Sequence, residues 1–262
     1  MTPASKDSFW MWGVGLAVLL VGIGIGVYVY RRDRLPDFEE APVAAAPPAA
    51  AVPEPRPVEV APPQPERAIP LPPLDDSDAE VQGGLTELVG ANAVMQYVVP
   101  QRIVRNVVVT IDNLAREKTA VQQRPIKAAP GKFLTSGDED ATVIARENYT
   151  RYAPFVAVVK TLDAKTLVGL YRGWQPLFQQ SYEELGNPNG LFNSRLLEII
   201  DHLLSTPDVK EPVRLVQPSV YYKFADPNLE ALSAGQKLLI RMGPENAGAI
   251  KSKLREIQAE LR

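Results

Sequence analysis

The chain has 262 residues, enough for one large domain or two small ones, and its 28 basic residues nearly balance its 31 acidic ones. This balance gives no global field that would favour nucleic acid or another polyanion. The absence of cysteine excludes disulfides, thiolate metal sites and a cysteine nucleophile, while the single histidine, His202, excludes a multi-histidine metal centre. The sequence therefore predicts neither a metal nor a cofactor, and it leaves carboxylates as the main acid–base groups.

An uncharged run of 22 residues, 9–30, is the first feature along the chain. About 20 apolar residues span the hydrocarbon core of a bilayer as a helix, and aromatic residues at both ends are typical of the two membrane interfaces. A cleaved signal peptide would need a shorter apolar core and a small-residue cleavage site, whereas "YVYRRDR" follows this run. We therefore expect residues 1–34 to form an uncleaved, single-pass transmembrane anchor. Gly22 and Gly26 form a G-x-x-x-G pair that would let two anchors pack as a homodimer.

Residues 35–74 change composition sharply and contain thirteen prolines. Proline removes the backbone donors that helices and sheets need, and the large apolar residues that could offset ordering entropy are almost missing here. We expect a disordered Pro/Ala-rich spacer, partly in the polyproline II conformation, between the anchor and the rest of the chain.

Apolar residues recur at three- and four-residue steps through most of residues 75–262, which predicts a mainly α, helical globular domain with a few short β-strands. Short strands or a hairpin are expected within residues 119–141, and two strands within 213–224. Helices are expected after Pro100, after the N-cap Asp163, after the "GNPNG" turn, at about 227–242 with a possible restart at Ser233, and at 244–261.

The aromatic stretch "LYRGWQPLFQQSYEEL" is the first candidate for a binding face. Its aromatic residues share one side of the predicted helix and could stack a sugar or a peptide. The same spacing is typical of core contacts in a helical bundle, so both interpretations stay open and the core is favoured. The candidate binding residues are Tyr171, Trp174, Phe178 and Tyr182.

The second candidate is the Gly-Pro corner "RMGPEN". Asp226 is a good N-cap for the helix before the corner, and Gly243 and Pro244 suit the end of that helix and the start of the next one. An anion could bind at the new helix N-terminus beside Arg241. However, Pro244 removes one N–H group and Glu245 would repel an anion, so the residues favour a tight corner, with Arg241 kept as a candidate ligand.

Catalytic groups are harder to define. His202 and Glu198 lie four residues apart on one predicted helix, which is also the spacing of an ordinary surface pair. Carboxylates such as Glu183 and Asp226 could converge in space as a glycosidase dyad, but sequence spacing alone does not establish convergence.

Two stretches carry a resemblance to a known family. "PLFQQSYEELG" and "LSAGQKLLIRMGPEN" are its most specific portions, and residues 75–262 resemble the bacterial domain-of-unknown-function family 3014. The resemblance implies a cell-envelope protein of Gram-negative type and supplies no catalytic residues. An anchor followed by a Pro/Ala spacer favours a periplasmic domain, whereas the three arginines that follow the anchor favour the cytoplasm.

These features together predict an inner-membrane, cell-envelope protein that is a non-enzymatic interaction or scaffolding module. Its expected partner is another envelope protein or a cell-wall component, with no nucleic acid. Two alternatives stay open, namely a peptidoglycan hydrolase with converging carboxylates and a lipid- or small-molecule-binding protein with a cavity between its helices.

Overall fold

The computed structural model describes residues 71–117, 123–138, 141–219 and 221–262. The predicted anchor, with Gly22 and Gly26, and all but the last few residues of the predicted spacer lie outside the described residues. Within the described ranges, none of the helices has the length and apolar character needed to cross a bilayer.

The described part is mainly helical with a few short strands, so the predicted fold class is confirmed at this level. A short 3-10 helix, Leu74–Asp76, precedes the first α-helix. The elements are α1 Asp78–Val89, α2 Ala91–Tyr97, α3 Ile103–Leu114, β1 Thr135–Ser136, β2 Val143–Ile144, α4 Glu147–Thr150, α5 Ala153–Thr161, α6 Ala164–Glu184, α7 Phe192–Leu204, β3 Leu215–Val216, β4 Lys223–Phe224, α8 Pro227–Glu230, α9 Ala234–Arg241 and α10 Pro244–Leu261.

Helix α6 lies at the centre of the main core and packs against α3, α7 and α10. The side chain of Asp163 caps its first turn by accepting the N–H of Thr166 at 2.7 Å, as the sequence predicts. Its apolar face is buried against the facing helices, and Leu71 and Leu74 also pack against this core. The packed domain therefore includes the last residues of the segment that the sequence assigns to the spacer.

Two short antiparallel hairpins flank the helices. Strand β1 pairs with β2, and β3 pairs with β4, with Thr135 opposite Ile144 and Leu215 opposite Phe224. A single antiparallel bridge joins Val143 to Arg214 and so connects the two hairpins. Their inward side chains form a second, smaller core with Ile240 of α9.

The expected helix at 227–242 is divided into α8 and α9. Ser233 accounts for the restart, because it forms a capping box with Gln236 at the first turn of α9. A glycine is needed at position 235 because α9 approaches α3 closely there. A methyl group on Gly235 would lie 3.0 Å from the carbonyl oxygen of Leu114. Gly243 then adopts a φ of +84° and Pro244 begins α10, as the sequence predicts.

Candidate functional site

Residues of the corner between α9 and α10 line two surface clefts. Met242 lines one of them, and Gly243 and Pro244 line the other. The cleft lined by Gly243 and Pro244 has a volume of about 320 Å³ and lies between residues 206–213, Tyr149 of α4 and the corner itself. We call it the Gly248 cleft, because Gly248 lies on the side formed by α10.

Gly248 is exposed in the second turn of an 18-residue helix. A methyl group added to it would meet no described atom within 4 Å. Glycine inside a helix costs about 0.5–1 kcal/mol relative to alanine, so its presence needs a reason. Gly83, Gly169 and Gly173 are also exposed inside helices and have no described atom within 4 Å of an added methyl group. Gly248 differs from them because it lines a cleft, where the missing side chain leaves room for close approach of a ligand.

A phenol and a carboxylate form one wall of the Gly248 cleft. The hydroxyl of Tyr149 is hydrogen-bonded to the Glu211 carboxylate; burial first, and then this bond, raise the pKa of Tyr149 above its usual range. The phenol therefore stays protonated and donates to Glu211 at neutral pH. Arg146 lies 3.7 Å from the same carboxylate, at the solvent edge.

An ammonium group also lines the cleft. The buried Nζ of Lys251 donates to the carbonyl oxygen of Thr206 at 2.6 Å and to Oδ1 of Asp208 at 2.9 Å. The hydrogen bond from Lys251, followed by its charge, lowers the pKa of Asp208. These contacts hold residues 206–208 against α10 and fix the shape of the cleft.

The arrangement can orient a ligand through polar groups that are already held in place. Glu183 and Asp226, the candidate catalytic carboxylates of the sequence, lie outside this cleft. Glu183, near the end of α6, accepts a hydrogen bond from Gln179 at 2.8 Å, and Asp226 caps α8 by accepting the N–H of Asn228 at 2.8 Å. Neither lines the Gly248 cleft. In the part of the chain that the structure describes, no cluster of three or more histidine, aspartate or glutamate side chains is placed to hold a metal ion.

The four aromatic candidates on α6 are all buried in the main core. Tyr171, Phe178 and Tyr182 pack around the ring of Phe192, with centroid separations of 5.6–6.3 Å. Trp174 is buried on the same face. The hydroxyl of Tyr171 and the indole N–H of Trp174 have no hydrogen-bond partner among the described residues.

The remaining candidate, Arg241, is 4% exposed. Its guanidinium lies 5.1 Å from the ring centroid of Phe224 and 5.8 Å from that of Phe133, and it donates to the carbonyl oxygen of Tyr222 at 3.1 Å. Burial, the main cause, lowers its pKa. Arg241 therefore joins the hairpin region to α9.

His202 and Glu198 do not contact each other in the way that their spacing allows. Glu198 pairs with Arg195 at 2.9 Å, while Nε2 of His202 lies 2.8 Å from the hydroxyl of Ser233, the cap of α9. Burial first, then the charge of Arg195, lower the pKa of His202.

The second cleft, the Phe155 groove, has a volume of about 260 Å³. The rings of Tyr97 and Phe155 meet edge to face at 5.5 Å along it. Residues 126–130 form part of the wall, and an antiparallel bridge joins Ile126 to Val98. The sequence predicts neither cleft. Gly248 is a mid-helix glycine, but Gly83, Gly169 and Gly173 are too and line neither cleft, so this signal alone does not indicate the site.

Comparison with known proteins gives one match. A family model described as "Protein of unknown function (DUF3014)" matches residues 103–258, more than half of the chain. A search of curated proteins and a search of solved structures each found no match. All residues that line the Gly248 cleft fall inside the matched range, whereas Tyr97 of the Phe155 groove falls outside it. The chain therefore belongs to the DUF3014 family.

Proposed function

We propose that this protein is a membrane-anchored cell-envelope protein whose helical domain is a non-enzymatic interaction module. The Gly248 cleft is the proposed binding site for another envelope protein or a cell-wall component. The observation that carries the proposal is the position of Gly248: this exposed helical glycine lines the cleft and leaves room there for a ligand.

The polar groups of the cleft support binding more than catalysis. Tyr149 is hydrogen-bonded to Glu211, and Lys251 is held by Thr206 and Asp208. Because these donors and acceptors are already held in place, their side chains lose little conformational entropy when a ligand binds. A hydrolase would instead need an acid and a base or nucleophile that both face the same reacting atom.

The sequence outside the described residues supports the location. The uncharged run at 9–30 is long enough for a single membrane span. A proline-rich segment of about 40 residues, at about 3.1 Å per residue, could reach on the order of 100 Å from the membrane. An anchored domain on such a spacer could bind partners across the periplasm, the side that we propose.

Site-specific photocrosslinking in intact cells of the source organism tests this function. A benzoylphenylalanine is placed at Lys210 of the full chain, an exposed residue between Val209 and Glu211 of the cleft lining that is not itself part of that lining. In a matched strain it is placed at Lys165, an exposed residue of α6. We expect a discrete crosslinked product from position 210 and none from position 165.

The partner identified in that product is then tested with purified protein. Gly248→Trp should fill the cleft and remove binding, whereas Gly173→Trp should leave it intact. Equal crosslinking from both positions, or unchanged binding by Gly248→Trp, would show that the Gly248 cleft is not the interaction site.

A further inference from the structure

The geometry points to a second binding site, the Phe155 groove, for a partner protein segment that carries a large apolar side chain next to acidic residues. This inference does not rest on the Gly248 cleft, because the two clefts share no lining residue.

The groove is lined mainly by apolar surface. Tyr97, Phe155 and Met242 contribute its larger apolar side chains, and Ala128 and Ala129 leave the space between them open. Aromatic walls with an edge-to-face contact form a pocket that suits one apolar anchor side chain.

An exposed methionine lies beside the groove. Met95 is 69% exposed, the highest fraction among the large hydrophobic side chains of the described residues. It lies at the edge of the groove, because the neighbouring Gln96 lines the groove and the Met95 carbonyl accepts a hydrogen bond from Lys127. Flexible, exposed methionines are favoured at surfaces that bind protein segments.

The charge of the groove is positive. Lys127 and Arg151 line it, and no carboxylate is among the described residues that do. Lys127 donates at 2.6 Å to the carbonyl oxygen of Met95. An ammonium group has three donors, so Lys127 keeps donors for a ligand carboxylate. Apolar walls beside a cation fit an apolar side chain with an acidic neighbour.

The size of the groove favours a peptide over a lipid. Its volume of about 260 Å³ is below the range of about 300–1,000 Å³ that encloses most small ligands. One or two side chains of an extended segment fit such a space, with the rest of the segment outside it. We therefore assign the groove to a protein segment.

Fluorescence anisotropy on the full chain in nanodiscs of neutral lipid tests the assignment. The probes are a fluorescein-labelled hexapeptide with leucine and phenylalanine flanked by glutamates, and a counterpart with lysine at each glutamate. We expect the acidic peptide to bind and the basic one to bind at least about tenfold more weakly, because like charges at a site oppose association.

Substitutions of exposed residues test whether the acidic peptide binds in the groove, and they leave the core unchanged. Lys127→Glu and Met95→Asp should each weaken the binding of the acidic peptide about five- to tenfold. The controls are Lys165→Glu, the same charge change on α6, and Leu191→Asp, because Leu191 is 66% exposed and does not line the groove. Neither control should change the affinity.

Three outcomes would overturn the proposal. The first is equal affinity for the acidic and basic peptides, and the second is an affinity that Lys127→Glu leaves unchanged. The third is that sodium dodecanoate binds, with dependence on Lys127, while the acidic peptide does not; the groove would then be a lipid site.

Discussion

Gly243 lies directly against the ring of Tyr149. A methyl group at Gly243 would lie 2.5 Å from Cγ of that ring, well inside van der Waals contact, and the φ of Gly243 is +84°. The amide of Asn246 donates at 2.9 Å to the carbonyl oxygens of both Tyr149 and Met242. These contacts fix α4 against the α9–α10 corner and so place the phenol of Tyr149 on the wall of the Gly248 cleft.

Gly243→Ala should therefore destabilise the domain. Strain at a positive φ and overpacking against Tyr149 together predict a loss of about 2–4 kcal/mol in the free energy of unfolding. Urea unfolding of the full chain, followed by helical circular dichroism, measures this loss. An unchanged urea midpoint would mean that the corner accommodates the added methyl group with no loss of stability. That result would contradict a close contact between Gly243 and Tyr149.

Gly248→Ala should have the opposite effect on stability. Its added methyl group meets no described atom within 4 Å, so the helical preference of alanine should stabilise the domain by about 0.5–1 kcal/mol. Gly173→Ala, in α6, is the matched control and should give a similar gain. A destabilised Gly248→Ala protein would show that the fold itself requires this glycine, and Gly248 would then no longer indicate a ligand.

Local chemistry explains which elements the sequence predicts well. Helix α10 occupies residues 244–261 as expected, because glycine and proline mark its start and apolar residues follow at helical spacing. Strands β3 and β4 fall within the expected range 213–224. Asp163 and Asp226 both accept backbone N–H groups as N-caps.

The clefts could not be predicted in the same way, because distant parts of the chain form them. Tyr149, Glu211 and Lys251 come from three separate segments, which meet only through tertiary contacts such as the Val143–Arg214 bridge and the packing of α10. The partners of Arg241 are set by the same kind of packing: its guanidinium lies over Phe224 and Phe133 of the two hairpin regions. Helical spacing identifies a face, but it does not specify what that face contacts.

Tyr171→Phe should be neutral or stabilising by up to about 1 kcal/mol, because a buried hydroxyl without a partner opposes folding. The Tyr171 hydroxyl is buried and has no hydrogen-bond partner among the described residues. Equilibrium urea unfolding of the full chain measures the change in the free energy of unfolding. A loss clearly larger than about 1 kcal/mol would instead show that the hydroxyl has a partner, such as a buried water or a bound ligand in the core.

Stability should depend on pH through His202, the single histidine of the chain. Burial, together with the charge of Arg195, lowers its pKa in the folded state below the ordinary value of 6.5. The unfolded chain therefore binds this proton more readily. The free energy of unfolding should be highest at pH values well above 6.5, should fall as the pH decreases from about 6.5 to the lowered pKa, and should level off below it.

Unfolding measured at about pH 7.5 and about pH 5.5 tests this dependence, since carboxylates titrate mainly below this range. His202→Gln removes the titrating group, and it should lessen the loss of stability between the two conditions. A wild-type protein that is more stable at the lower pH would contradict a lowered His202 pKa as the source of the dependence.

Incubation of the full chain with purified cell-wall sacculi separates the interaction module from the hydrolase alternative. We expect no release of muropeptides, because Glu183 and Asp226 accept hydrogen bonds within their own helices and lie outside the Gly248 cleft. If the partner is a wall component, the chain should sediment with intact sacculi, and Gly248→Trp should reduce the bound fraction while Gly173→Trp does not. Muropeptide release that Glu183→Gln or Asp226→Asn abolishes would instead establish catalysis by those carboxylates, and the non-enzymatic proposal would be wrong.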